Sequence, residues 1–303
     1  MHDILEIESE LGINTKAAII EPIQHPVLAY NNIHLHIKRD DLLHPIISGN
    51  KWRKLKFTLL TALSKGNEHL ISMGGAYSNH LHALAYVGHK LNLKTTGLIR
   101  GEQPAEDNQT LADLKKWGMN IEFVTRGTFR ELRKYRNHDA APAKKYDGFW
   151  IPEGGASHEA LRGVAEIVKE IDMEFDALAL ACGTGTTLAG IAKALPSTKK
   201  ALGFSALKGG GFLEKDIKKL LRTKGMPNWS VNFDYHFGGF AKSTDELISF
   251  IEEFESHNNN LSLEPLYNGK MLFGLLDLIK NDRFKKGHTI IAIHTGGLQG
   301  NRK

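Results

Sequence analysis

The chain has 303 residues, 41% of them hydrophobic and 24% charged, which is enough for one large or two ordinary domains with substantial cores. The single cysteine, Cys182, excludes an intramolecular disulfide, and no apolar stretch is long enough to predict a membrane span. The net charge of +5 comes from dispersed short clusters, so we expect no nucleic-acid partner. The N-terminus MHDILEIESELGINTK is acidic where a signal peptide would be basic and then apolar, and we expect a cytoplasmic protein.

Short apolar strands alternate with helical patterns, which is typical of parallel sheets covered on both faces. Strands are predicted in HLHIKRDD, NEHLISMGG, KTTGLIRG and NIEFVT, and helices after Ser78, around NQTLADLKKW and after Thr128. Later come YDGFWIPEGGASHEALRGVAEIVKEI, FDALALACGTGTTLAGIAKAL, two helices from Leu247 and a last strand, GHTIIAIHTGG. We predict an α/β fold with two lobes, each an open, mostly parallel twisted sheet flanked by helices. Residues 1–45 and 151–303 would form the larger lobe and residues 46–150 the smaller one.

The clearest candidate for an anion site is ALALACGTGTTLAGI, where an apolar strand runs through a short turn into a helix near Leu188. The turn consists of Gly183, Thr184, Gly185, Thr186 and Thr187. Glycines let backbone N–H groups approach a phosphate, the helix N-terminus adds partial positive charge, and threonine hydroxyls donate further hydrogen bonds. The spacing fits neither a P-loop nor a G-x-G-x-x-G fingerprint. We predict a phosphate cradle, with an ordinary tight turn as the alternative.

A second candidate is Lys51, which follows a Ser-Gly-Asn turn and starts a predicted amphipathic helix in ISGNKWRKLKFTLLTAL. Cations gain least at a helix N-terminus. The helix end, the cationic neighbours and partial burial all disfavour the ammonium form, so we predict a lowered pKa and a reactive amine. A solvated lysine on a basic helix face is the alternative. Trp52 and Leu59 mark the predicted buried stripe of this helix, whereas Lys54 and Lys56 have no apolar role.

A phosphate cradle together with a reactive lysine indicates pyridoxal 5'-phosphate. This cofactor needs an amine for a Schiff base, donors for its phosphate and a separate group near its pyridine nitrogen.

The chain contains, in this order, KRDDLLHPIISGNKWRKL, GGAYSNHLHALA, IPEGG, ACGTGTTLAG, EPLYNGKMLFGLLDLI and HTGG. In these segments and their order it resembles the 1-aminocyclopropane-1-carboxylate deaminase / D-cysteine desulfhydrase family. Those enzymes are fold-type-II, tryptophan-synthase-β-like proteins that use pyridoxal phosphate. The resemblance extends from about residue 37 to 297 and implies a larger cofactor-binding lobe, a small amino-acid substrate and a homodimer.

The resemblance also implies roles for individual residues. Lys51 would be the Schiff-base lysine and the base that moves the substrate's α-proton, and Tyr267 would be the catalytic tyrosine. Ser78 would help hold the substrate carboxylate, and Asn79 would hydrogen-bond the cofactor's ring hydroxyl. The further implied cofactor contacts are Gly183 to Thr187 and Lys54 at the phosphate, and Thr295 near the pyridine nitrogen. The alternatives are helix caps at Ser78 and Asn79, a core aromatic at Tyr267 and a strand end at Thr295.

Two positions bear on the substrate. Ring-opening deaminases resemble one another in having glutamate after the catalytic tyrosine and leucine before the late Gly-Gly, where this chain has Asn268 and Thr295. Both differences favour D-cysteine. His80 stands where the family usually has glutamine beside the substrate carboxylate, so His80 and Asn268 join Ser78 and Asn79 as candidate substrate-binding residues.

The predicted reaction is αβ-elimination from D-cysteine, giving an aminoacrylate that hydrolyses to pyruvate and ammonia, with sulfide as the leaving group. Deamination of 1-aminocyclopropane-1-carboxylate or of another D- or β-substituted amino acid is the alternative within the family. A dinucleotide-binding oxidoreductase would explain the glycine loop but lacks the third glycine, and a non-catalytic pyridoxal-phosphate carrier would explain both the loop and Lys51. His80 and His82 do not share a helix face, so we expect no metal site.

Overall fold

The computed structural model describes residues 3–222 and 228–301. Its helices are α1 (Ile4–Leu11), α2 (Pro26–Asn31), α3 (Asn50–Ser64), α4 (Asn79–Lys90), α5 (Gln109–Lys116), α6 (Arg126–Leu132), α7 (Ala141–Tyr146), α8 (His158–Lys169), α9 (Thr186–Ala194), α10 (Phe212–Leu221), α11 (Asp245–His257) and α12 (Asn268–Lys280). Its strands are β1 (Ile20–Pro22), β2 (His34–Lys38), β3 (His69–Gly74), β4 (Lys94–Arg100), β5 (Asn120–Val124), β6 (Phe149–Ile151), β7 (Ala177–Cys182), β8 (Lys200–Ser205), β9 (Trp229–Asn232) and β10 (Thr289–Ile293).

The described strands form two sheets. The larger has the order β1-β2-β10-β7-β8-β9, and the smaller has the order β5-β4-β3-β6. Only the pairing of β1 with β2 is antiparallel among the described strands; all other neighbours run parallel. The predicted α/β fold with two mostly parallel sheets is therefore confirmed. Helix α6 begins at Arg126, earlier than predicted, because the Thr125 side chain accepts the Thr128 N–H and caps it.

Both faces of each sheet are covered, as the continuous apolar runs predict. In β7 the residues 177, 179 and 181 belong to one hydrophobic cluster, with α11 and α12. Residues 178, 180 and 182 belong to another, with α8, α9 and α10. The smaller sheet divides in the same way, with Leu70 and Ile71 of β3 in different clusters. This alternation follows from the two-residue repeat of a strand.

The division of the chain near residues 45 and 150 stays a prediction. Strands β1 and β2 belong to the larger sheet, but Ile7 and Leu11 of α1 pack in the cluster under the smaller sheet, with Trp52. The Trp52 ring N–H also donates to Glu8, 2.9 Å away. Within the described ranges, no helix is both long and apolar enough to cross a membrane.

Helix α3 is anchored by an ion-pair network that the amphipathic pattern did not predict. The Arg53 guanidinium, fully buried, contacts Asp40 at 3.1 Å and Glu170, the residue that follows α8, at 2.5 Å. Lys38 of β2 contacts the same two carboxylates at 3.3 and 2.8 Å. Burial alone would lower the pKa of Arg53, but the charge of Asp40 and the hydrogen bonds to Glu170 raise it above its ordinary value. The network therefore joins α3 to the larger sheet and to α8.

Close backbone packing accompanies these ion pairs. A Cβ at Gly163 of α8 would lie 2.0 Å from the backbone oxygen of Arg53, so only glycine allows this approach of the two helices. Lys56, which we expected on a polar face, is buried and contacts Glu8 and Glu166, each at 2.9 Å. Two basic residues of α3, Arg53 and Lys56, are thus paired with carboxylates.

We expect Arg53→Met to lower the free energy of unfolding by about 3–5 kcal/mol, because it removes the guanidinium from a buried ion-pair network and leaves Lys38, among the described residues, as the one cation shared by Asp40 and Glu170. Denaturant unfolding measures this change. Lys169→Met, at an exposed position of α8, removes a cation of similar length and should cost at most about 0.5 kcal/mol. Equal stability of the two variants would contradict the anchoring role of Arg53.

Candidate active site

A cavity of about 590 Å³ lies at the carboxyl ends of strands from both sheets. The segments that follow β3, β4 and β6 line it from the smaller sheet, and those that follow β7, β8 and β10 line it from the larger one. This is where open parallel sheets bind their ligands. The start of α3 and Tyr267 complete the lining.

Lys51 lies at the cavity on the first turn of α3, held by its neighbour. Its Nζ donates to Asn50 Oδ1 at 2.6 Å, and Asn50 Nδ2 donates to Thr187 Oγ1 at 3.0 Å. The turn before it approaches the end of β10 closely. A Cβ at Gly49, where φ is +63°, would lie 2.1 Å from the carbonyl of Thr295. The Gly-Asn pair thus places the lysine between the glycine loop and β10.

Burial lowers the pKa of Lys51 to about 8, although the charge of Glu264 opposes the shift. The predicted direction is correct, and burial is its cause. We also predicted that cationic neighbours lower the pKa of Lys51. Arg53 and Lys56 do not contribute to this shift, because both are paired with carboxylates. Lys54 also lines the cavity, and burial together with the charge of Lys51 lowers its pKa strongly. A substantial fraction of Lys51 is therefore neutral near physiological pH.

The glycine-rich turn has the geometry of an anion site. Helix α9 begins at Thr186, so the amides of its first turn have no helical acceptor and point toward the turn, which lines the cavity. The Thr187 hydroxyl accepts a hydrogen bond from Asn50 and keeps its own hydrogen free to donate. Among the described residues, Lys54 forms no hydrogen bond or ion pair, and its amine adjoins this cavity. All of these hydrogen-bond donors are therefore available to a bound anion.

Ser78, Asn79 and His80 all line the cavity at the start of α4. Ser78 caps the helix, since its Oγ accepts the Leu81 N–H at 3.2 Å. The helix cap that we gave as the alternative role is therefore present, and Ser78 also lines the cavity. The end of the chain passes close by: a Cβ at Gly297 would lie 3.0 Å from Asn79 Nδ2.

His80 is a neutral hydrogen-bond acceptor. Ser72 Oγ donates to the Ile151 carbonyl at 2.8 Å, so it accepts the Nε2–H of His80, 2.9 Å away. The other ring nitrogen, Nδ1, is then unprotonated, and it has no partner among the described residues. Burial and the charges of Lys54 and Lys51 lower the pKa of His80 to about 3. A carboxylate, which only accepts, does not pair with this nitrogen.

Tyr267 lies beside the glycine loop and is held by a buried carboxylate. A Cβ at Gly183 would lie 3.4 Å from its hydroxyl oxygen. Glu264 Oε2 accepts the amides of Leu266 and Tyr267 at 2.6 and 2.8 Å, and Oε1 accepts the amide and Nδ2 of Asn268 at 2.6 and 2.9 Å. Complete burial raises the pKa of Glu264 to about 7, against the effect of these donors. Glu264 thus fixes the turn that carries Tyr267.

Asn268 lies behind the cavity, not on its lining. Its Oδ1 accepts the Thr295 amide at 3.1 Å and the Thr295 hydroxyl at 3.2 Å, and its Nδ2 donates to Gly296 O at 2.8 Å. Thr295 itself lines the cavity. Because its hydroxyl hydrogen is committed to Asn268, its oxygen is left as an acceptor. A pyridine nitrogen also accepts, so contact with Thr295 would require that hydrogen to turn away from Asn268.

The structure adds residues that the motifs did not assign. Asn50 lies in the segment GNK and Glu264 in the segment EPLYN. Each is a polar residue within three positions of a candidate catalytic residue, and this closeness was the signal that could have identified them. The cavity mouth adds Arg100 and Arg133 from the smaller sheet's side and Phe240 from the larger. No pattern in the sequence shows that these distant segments meet.

Two mostly parallel sheets with a shared cavity, a lysine of lowered pKa at one side and an anion loop at the other are the features of a fold-type-II pyridoxal-phosphate enzyme. Comparison with known proteins agrees: a model of the family described as pyridoxal-phosphate dependent enzymes matches residues 22–296.

More specific relatives are found as well. A Pyrococcus horikoshii protein, provisionally named 1-aminocyclopropane-1-carboxylate deaminase, is 33% identical, over 88% of this chain and 85% of its own. The mitochondrial bifunctional D-cysteine desulfhydrase/1-aminocyclopropane-1-carboxylate deaminase of Arabidopsis thaliana is 30% identical, over 89% of this chain and 74% of its own. A crystal structure of an ACC deaminase homologue matches with a TM-score of 0.75 and 30% identity, over 99% of this chain and 97% of its own. The chain belongs to the 1-aminocyclopropane-1-carboxylate deaminase / D-cysteine desulfhydrase family of pyridoxal-phosphate enzymes.

The residues present fit this cofactor. Its phosphate needs an anion cradle, which the loop of Gly183 to Thr187 and the unpaired Lys54 would provide. Its aldehyde needs a neutral amine, and Lys51 is the candidate because burial lowers its pKa to about 8. Asn79 would donate to the ring's oxygen substituent.

Lys51 should capture pyridoxal phosphate faster as the pH rises, with a midpoint at about 8, because the neutral amine fraction increases through its lowered pKa. Cofactor-free protein is mixed with pyridoxal phosphate across a pH series, and the rate of the absorbance change is recorded. Borohydride should then fix the cofactor to Lys51, and Lys51→Ala should retain none covalently. A midpoint near 10.4, the ordinary lysine value, would contradict the effect of burial.

Glu264→Gln should destabilise the protein by about 1–3 kcal/mol, because the amide group turns a donor toward backbone N–H groups that lose their acceptor. The variant should also lower kcat by displacing Tyr267. Glu252→Gln makes the same chemical change at an exposed position of α11 and should alter neither property. If both variants unfold at the same denaturant concentration, Glu264 does not hold the turn.

Proposed function

We propose that this lyase acts on D-cysteine and converts D-cysteine and water to pyruvate, ammonia and hydrogen sulfide by αβ-elimination. The observation that carries the proposal is the pair of hydrogen bonds between Asn268, which lies behind the cavity, and Thr295, which lines it. These are the two positions at which the resemblance distinguishes desulfhydrases from ring-opening deaminases, and here they contact each other. The proposed substrate specificity therefore rests on one local structure.

The environment of Asn268 disfavours the acidic residue that ring opening is associated with. Asn268 Nδ2 donates to both Glu264 Oε1 and the Gly296 carbonyl. A glutamate at position 268 would present a second carboxylate to Glu264 and would supply no donor to either oxygen. Two buried carboxylates in contact do not both ionise, since their charges repel. The chain is thus adapted to an uncharged residue at this position.

The proposed roles follow from the positions of the side chains. When bound, the cofactor supplies an aldehyde for the substrate's amino group and a ring that withdraws electrons from Cα. Lys51, neutral and held by Asn50, takes the proton from Cα. Ser78 binds the substrate carboxylate at the start of α4, where backbone N–H groups and the helix dipole favour an anion. These residues approach the substrate from both sheets.

Tyr267 is the proposed donor of the proton that the leaving thiolate takes up. Burial, together with the charges of Glu264 and Glu153, raises its pKa above the ordinary tyrosine value. The hydroxyl therefore keeps its proton at neutral pH and can donate it. Its position beside Gly183 places it on the larger-lobe side of the cavity.

A second candidate substrate is 1-aminocyclopropane-1-carboxylate. The names of the P. horikoshii and A. thaliana relatives favour it, since both include deaminase activity. The A. thaliana name includes both activities, so the same test must contain both substrates.

We expect pyruvate release from D-cysteine with a kcat/KM at least about tenfold higher than from 1-aminocyclopropane-1-carboxylate, because the chain has Asn268 and Thr295 in place of the glutamate and leucine linked to ring opening. The panel also contains L-cysteine, β-chloro-D-alanine and D-serine, and Lys51→Ala is the inactive control. Fast turnover of the cyclopropane with none of D-cysteine would overturn the proposal. A yellow protein that turns over no amino acid would instead be a non-catalytic carrier.

A further inference from the structure

Arginine side chains surround a second cavity, of about 470 Å³, next to the active site. The residues lining it are Arg100, Gly101, Arg126, Phe129, Arg130 and Arg133. Arg100 and Arg133 also line the active-site cavity, so the two spaces share a wall. We refer to the second space as the arginine cavity. It contains four guanidinium groups and no carboxylate among its lining residues.

The local structure explains how these charges come together. Arg100 ends β4, and α6 follows directly from β5, so both elements leave the same carboxyl edge of the smaller sheet. Positions 126, 130 and 133 are spaced four and then three apart, which places them on one side of α6 and of the turn that ends it. Like charges at this spacing destabilise a helix. The arginine cluster therefore destabilises α6, and the stability of the fold does not account for its presence.

Within the described part of the chain, the carboxylate of Glu153 lies close to this charge: burial raises its pKa, and the charges of Arg133 and Arg100 oppose that shift. Among the described residues, no carboxylate forms an ion pair with Arg100, Arg126 or Arg130. Arg133 contacts Glu153 at 2.7 Å. The neighbouring Lys134, in contrast, is paired with Glu131. Three of the four arginines that line the arginine cavity thus have no ion-pair partner among the described residues.

We propose that the arginine cavity binds an oxyanion of the phosphate or carboxylate type at the mouth of the active site. Guanidinium groups present planar forks that bind such groups through paired, charge-assisted hydrogen bonds. The oxyanion is either the distal anionic group of an amino-acid substrate or a free anion of the same chemistry. Because the cavity shares Arg100 and Arg133 with the active site, a substrate with an anionic β-substituent would reach from Lys51 toward it. The part of the proposal in which a substrate carries the oxyanion rests on the proposed lyase function.

The first measurement is calorimetric titration of the holoenzyme with inorganic phosphate at low ionic strength, where screening is weakest. The holoenzyme is used because its glycine loop then holds the cofactor's own phosphate. The variant Arg126→Gln/Arg130→Gln changes only residues outside the active-site cavity and should weaken phosphate binding by about tenfold or more. Lys134→Gln removes a cation of the same segment that does not line either cavity and should bind phosphate like the unaltered protein. Equal binding by all three proteins would overturn the proposal.

The second measurement separates the two sources of the oxyanion. O-phospho-D-serine is compared with D-serine and D-cysteine by pyruvate release. In this elimination the Cα proton is removed, the Cβ–O bond breaks with its electron pair leaving on phosphate, and water releases pyruvate and ammonia. If the substrate carries the oxyanion, the double variant should raise KM for O-phospho-D-serine about tenfold and leave KM for D-cysteine unchanged. If phosphate binding falls in the variant while all three KM values stay the same, a free oxyanion is the ligand.

Failure of the lyase proposal gives a different result. No pyruvate from any amino acid would contradict the proposed function. The calorimetric comparison would still test whether the arginine cavity binds an oxyanion, because it needs no turnover and the substituted residues do not line the active-site cavity.

Discussion

The structure depends on the buried guanidinium of Arg53, which lies between Asp40 after β2 and Glu170 at the end of α8. An unpaired charge at this depth would be very unfavourable, so helix α3 has one position in which its buried cation is satisfied. That position puts Lys51, two residues earlier, at the carboxyl ends of both sheets. Ion pairs with carboxylates also neutralise Arg53 and Lys56, two of the cationic neighbours of Lys51. A reactive amine can therefore occur in a strongly basic segment.

The candidate site has a lining and a support, and the two are chemically different. The lining offers an amine, hydroxyls and backbone N–H groups to a ligand. Behind it, Glu264 and Asn268 make hydrogen bonds to the turn that carries Tyr267 and to the end of β10, and Asn50 at the edge of the lining holds Lys51. Catalytic geometry tolerates displacements of only about 0.5 Å, which explains why buried polar groups are used for support despite their cost.

The basic side chains at the mouth of the site are charged, whereas those in its interior are shifted toward neutral forms. At the mouth, exposed arginines create a positive field that attracts anions and speeds their approach. Inside, burial shifts the lysines and His80 toward their neutral forms. Amino-acid substrates of this family carry a carboxylate, so both regions serve anionic ligands, but by different means. The mouth uses full charges in water, and the interior uses fixed dipoles and hydrogen bonds where a full charge would be costly.

The sequence by itself determined the α/β class, the alternation of elements and the glycine-rich turn, and it indicated Lys51 as a candidate, because these follow from local periodicity and from short motifs. Only the tertiary structure decided that Lys56 pairs with Glu8 and Glu166, and that Asn268 supports Thr295 from behind the cavity. The physical reason is distance along the chain. Backbone propensities act over a few residues, whereas the burial, charge pairing and hydrogen-bond partners of a side chain are set by segments that meet only when both sheets are packed.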